Sequence, residues 1–150
     1  MKRWIVLGWY AIATAAAAQA SGGGLYVAGG NFDFTQAVER ALAQNPAPSK
    51  FFVLATGEAV RGLSVVAPPE LVEVRNRGLA RGAVYLVCRR DIEREVFRAT
   101  DLVSGVVPVK GWPPPGSSDL PEGANYYRGE DPSTLPSSNE LLRRLRSTCS

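Results

Sequence analysis

Residues 68–88 read PPELVEVRNRGLARGAVYLVC, and the fold turns on this stretch. Pro68 and Pro69 open a helix, since a proline in the first turn gives up an N–H that has no helical partner anyway. Leu71, Val74 and Leu79 give that helix an apolar face, and Gly82 ends it, with Gly78 weakening the last turn. Ala83-Val84-Tyr85-Leu86-Val87 follows as an unbroken apolar run, the pattern of a strand buried on both faces. A helix handing directly to such a strand is half of a βαβ unit.

The same alternation extends outward in both directions. Leu25–Ala28 reads as a short strand closed by Gly29-Gly30. Asp33 with Gln36 three residues on is a capping box, opening a helix striped by Phe34, Val38, Ala41 and Leu42 and stopped by Pro46 and Pro48. Phe51–Ala55 is a second buried strand ended by Gly57, and Glu58–Val66 is a short helix or a loop. Arg89–Phe97 has the spacing of a charged amphipathic helix. Val106–Val109 is a fourth strand, and its Pro108 puts it near a sheet edge. Alternating strands and helices predict an α/β fold: a three-layer, Rossmann-like sandwich with a mostly parallel sheet and helices on both faces. Residues 21–110 form this domain. Residues 111–150 add an arm rich in Pro, Gly and Ser, carrying Trp112, Tyr126 and Tyr127, and a C-terminal helix packed on the same domain. The aromatics of the arm read as anchors to the sheet. Ser137-Ser138-Asn139-Glu140 reads as that helix's capping box, Leu141, Leu142 and Leu145 as its apolar residues, and Arg143, Arg144 and Arg146 as a solvated face.

Composition removes whole classes of chemistry. The 150 residues include no His and two Cys. Imidazole acid–base catalysis, Ser-His-Asp and Cys-His nucleophiles and His-ligated zinc are excluded, and two cysteines alone cannot close a four-ligand structural zinc site. No metal or cofactor is expected. Lys2 and Arg3 ahead of the apolar stretch Trp4–Ala18, with Ala18-Gln19-Ala20 behind it, read as a secretory signal peptide over residues 1–20. Cleavage after Ala20 would leave no stable membrane insertion and place the protein in the periplasm, an oxidising compartment. It would also lower the formal net charge from +3 to +1, which gives no electrostatic footprint for nucleic acid.

Ligands in parallel sheets bind beyond the carboxyl ends of the strands. The residues there are Gly29-Gly30-Asn31, Thr56-Gly57-Glu58, Cys88-Arg89-Arg90 and Lys110-Gly111-Trp112. Cys88 is the strong nucleophile among them. Amides of the following helix, with Arg89 and Arg90, would favour its thiolate. Two other readings stand beside this one: half of a structural disulfide, and an inert core thiol. Asn31, Gly57 and Glu58 are candidates to line the same mouth. Cys149 is the candidate resolving thiol, or the disulfide partner of Cys88, and we expect that pair to be reversible.

The stretches FFVLATGEAVRGL (51–63), ELVEVRNRGLARGAVYLVC (70–88) and DLVSGVVPV (101–109) together resemble the DsrE/DsrF-like family, whose members have the YchN-type fold. The resemblance implies that Cys88 carries sulfane sulfur as a persulfide, exchanged with a sulfur-donor or acceptor protein or with a small thiol or polysulfide. It also implies a homo- or hetero-oligomer. The export signal, the arm and the C-terminal helix with Cys149 depart from the family pattern. Two functions therefore enter the structural description: a periplasmic sulfurtransferase-like carrier, and a non-catalytic binding or assembly subunit with Cys88 structural or bonded to Cys149.

Overall fold

The computed structural model describes residues 23–117 and 125–150. The segment read as a signal peptide, and residues 118–124 of the arm, lie outside the described residues. Among the described residues, β1 (Leu25–Ala28), β2 (Phe51–Ala55), β3 (Ala83–Cys88) and β4 (Val107–Val109) form one sheet in the order β1-β2-β3-β4. Every neighbouring pair is parallel. Around it stand α1 (Phe34–Gln44), α2 (Pro69–Arg81), α3 (Arg89–Glu93) and α4 (Asn139–Thr148). The α/β sandwich read from the alternation is the fold observed.

Sequential strand order has a consequence for the layers. Each crossover steps the same way along the sheet, so right-handed connections all fall on one face. There α1 and α2 bury Phe34, Val38, Ala41 and Val74 against Phe51, Val53, Tyr85 and Val87. The other face of the same strands presents Phe52, Leu54, Leu86 and Cys88 to Leu142, Leu145 and Cys149 of the C-terminal segment and Leu135 of the arm. Period-two alternation along β2 and β3 splits the residues between the two cores.

Local chemistry explains most element ends. Asp33 caps α1 in a true capping box: its Oδ1 accepts from the Gln36 amide at 2.8 Å, and Gln36 Oε1 accepts from the Asp33 amide at 2.9 Å. Gly82 closes α2 at φ 107°, a left-handed cap that favours glycine. Gly78 is required by packing, because a Cβ there would sit 2.2 Å from the Tyr85 hydroxyl.

Four sequence expectations need correction. Leu79 is 51% exposed, and the buried face of α2 runs instead through Val74 and Arg75 and, one turn on, Gly78. Helix α3 stops at Glu93, not Phe97. The Glu95 amide returns to the Ile92 carbonyl and that of Val96 to the Asp91 carbonyl, with Glu95 at φ 58°, a Schellman closure made without glycine. The N-cap of α4 is Ser138, whose side chain accepts from the Leu141 amide, so Glu140 falls one position short of a capping box. Arg146 is no part of a solvated face; it is 1% exposed. The ambiguous stretch after β2 is a 3₁₀ segment, Gly57–Leu63.

Candidate functional site

Cys88 ends β3 on the face covered by α4, because it shares the parity of Leu86. Its side chain caps no amide of α3. Instead its sulfur is bonded to Cys149, the C-cap of α4, with the two Cα atoms 5.1 Å apart. Both half-cystines are buried, at 0% and 2% exposure. The disulfide therefore pins the last helix to a central strand, and no thiolate is present in this state.

A second anchor lies beside it. The Arg146 guanidinium pairs with Glu130 at 2.7 Å, donates to the carbonyls of Lys110 and Asn125 at 3.2 Å each, and stacks 4.1 Å over the Tyr127 ring. Tyr127 donates to the Gly111 carbonyl, and Tyr126 to that of Pro136 at 2.8 Å. Burial pushes the Tyr126 hydroxyl pKa up, against the opposing pull of Arg146. The aromatics of the arm thus serve as the anchors expected of them, except Trp112, which is 46% exposed.

Trp112 instead walls a shallow groove of about 250 Å³ over the disulfide, with Arg89, Arg90, Lys110, Tyr127 and Cys149. Cys88 lies beneath it. Arg90 donates to the main-chain oxygen of Ser150 and sits 3.5 Å from the Asp91 carboxylate. Arg89 is exposed to solvent.

Gly57 and Glu58 belong to a different part of the carboxyl edge. They line two clefts on either side of the 3₁₀ segment, and Arg61 joins them in both. One cleft, of about 520 Å³, reaches Gly29, Asp33 and Thr35. The other, of about 670 Å³, reaches Val65, Val66, Val96, Phe97 and Asp101. Asn31 lines a third hollow beside β1. The structure thus joins Cys88 to Cys149 and sets Arg89 and Arg90 above them, while Gly57, Glu58 and Asn31 lie in separate hollows. Sequence reading passed over Arg61 and the Val65-Val66 pair. Their signal was an apolar pair, without periodicity, between Gly62 and Pro68.

Among the described residues, no three His, Cys, Asp or Glu side chains are grouped to hold a metal ion, and no helix is long and apolar enough to cross a membrane. Compared with known proteins, the chain matches no family model, no curated protein and no solved structure.

Proposed function

We propose that the chain is a binding or assembly domain whose Cys88–Cys149 disulfide is structural. The observation that carries this reading is the burial of both sulfurs inside the core between the sheet and α4. A catalytic disulfide is ordinarily reached by its partner thiol, whereas here the Cys88 sulfur is closed over. The clefts flanking Glu58 and Arg61, at the carboxyl ends of the strands, are the binding surfaces this reading offers. A persisting disulfide also supports export to an oxidising compartment, in keeping with the signal-like segment at residues 1–20.

The second reading, a DsrE-like sulfur carrier, is favoured by one observation: Cys149 borders the groove held by Arg89, Arg90 and Lys110. It requires two-electron reduction of the disulfide by a dithiol. The freed Cys88 thiolate would then attack the terminal sulfur of a polysulfide, leaving a persulfide on Cys88 and a polysulfide one sulfur shorter. Intact-mass and alkylation measurements on the non-reduced protein separate the two. The structural reading expects no iodoacetamide uptake, no added sulfur after polysulfide treatment, and the same result after brief exposure to a mild dithiol. Sulfur gained on the Cys88 peptide under that mild reduction would replace it with the carrier reading.

A further inference from the structure

The two edges of the sheet differ. At the β4 edge Pro108 removes a ladder donor, a common device against unwanted pairing. The β1 edge has no such device: its sequence is LYVA, with neither charge nor proline. The Phe52 amide donates to the Gly24 carbonyl and the Thr56 amide to that of Ala28, so the even-numbered residues of β1 face β2. Parallel pairing then turns the N–H and C=O groups of Leu25 and Val27 outward. Among the described residues no strand takes them.

These groups open into a hollow of about 370 Å³. Arg40 of α1 borders it from one face of the sheet and Arg144 of α4 from the other. The Gly29-to-Phe32 bridge closes its carboxyl end. Arg40 is held 4.5 Å over the Phe32 ring, which fixes one of the two cations beside the strand. No acidic side chain lines the hollow.

We propose that the β1 edge binds an extended acidic peptide as an added strand. Backbone groups of Leu25 and Val27 pair with the peptide main chain, and its carboxylates sit between Arg40 and Arg144. The charges also choose the occupant. A second copy docking edge to edge by two-fold symmetry would bring Arg40 and Arg144 against their own images. The site does not rest on the binding reading above, although Arg144 is carried by α4, the helix that the disulfide holds in place.

The test uses a fluorescein-labelled peptide of repeating Val-Val-Glu-Glu (Val-Glu), which offers carboxylates on both faces of a strand, its Val-Val-Lys-Lys counterpart (Val-Lys), and a Val-Glu version N-methylated at every residue. Fluorescence anisotropy should show saturable binding of the Val-Glu peptide, weakened about tenfold or more for Val-Lys. The N-methylated version, which cannot add to a ladder, should not bind. Arg40→Glu combined with Arg144→Glu should invert the preference, and the Leu25 and Val27 amides should gain exchange protection on binding. No binding by any peptide, equal binding of the two charge types, or undiminished binding of the N-methylated version would each overturn the proposal. So would concentration-dependent self-association that protects the same two amides.

Discussion

On one face of the sheet, α1 and α2 lie beside the strands that they connect in sequence, and their cover follows from crossover geometry alone. On the other face, α4 arrives only after the arm, and it is held by a disulfide spanning a sequence separation of 61 and by the pairing of the buried Arg146 guanidinium with the partly exposed Glu130. Short connections fix a helix through the low entropy of closing them, while a distant helix must bring its own fastenings. The same strands thus have one face covered by topology and the other by side-chain chemistry.

The largest effect should come from removing the covalent fastening. Cys88→Ser with Cys149→Ser should cost about 4 kcal/mol in denaturant unfolding, from the lost loop constraint. Hydrogen exchange should rise first in α4, with α1 and α2 still protected. Equal loss of protection on both faces would show that they unfold as one unit and break the contrast.

Next comes the ionic fastening. Arg146→Met should cost about 3 kcal/mol, because the Glu130 carboxylate keeps only the Tyr127 amide and the Lys110 and Asn125 carbonyls lose this donor, and adding Glu130→Gln should recover part of that loss. If the double variant is no better than the single, shape and not charge holds the arm.

On the topological face the matching probe is Gly78→Ala. Helix propensity alone would make it stabilising by about 1 kcal/mol. The Cβ placed against the Tyr85 hydroxyl should instead make it destabilising by about 2 kcal/mol, through overpacking and loss of the Tyr85 bond to the Arg75 carbonyl. A stabilised variant would mean that α2 shifts freely on the sheet.

The smallest effect is alkaline. Burial holds the Tyr85 hydroxyl pKa well above its ordinary value of about 10, against a smaller opposing pull from Arg75. The unfolded chain therefore loses this proton first as pH rises. The contribution to stability is complete below about pH 10 and is lost above it. Tyr85→Phe should flatten the fall in unfolding free energy between about pH 10 and 12, and an unchanged slope would assign that fall to other groups.

Much of the topological face was legible in the sequence. Asp33 with Gln36, Pro68-Pro69, Gly82 and the three apolar strands are local signals, and each became the element it announced. The early end of α3 was not legible, because Arg89–Phe97 keeps helical spacing and no glycine marks the Schellman closure at Glu95. The fastened face was harder still. Arg146 shares its charge and neighbours with the exposed Arg143 and Arg144, and only the approach of Glu130 and Tyr127 distinguishes it. For Cys88 the sequence left a reactive thiol, a core thiol and a disulfide open; the choice depends on where α4 lands. Strand order, which sends every crossover to one face, decided that.

The position of α4 in the chain also sets an order of events. Delivery of the chain from its N-terminal end brings β1 through β4, with α1 and α2, into the compartment where it folds before residues 139–149 arrive. During that interval Phe52, Leu54, Leu86 and Val109 form an open apolar wall on a nearly finished sheet. Such a wall invites association with other nascent chains, so yield from the cell should depend on how quickly the last helix is delivered and oxidised into place.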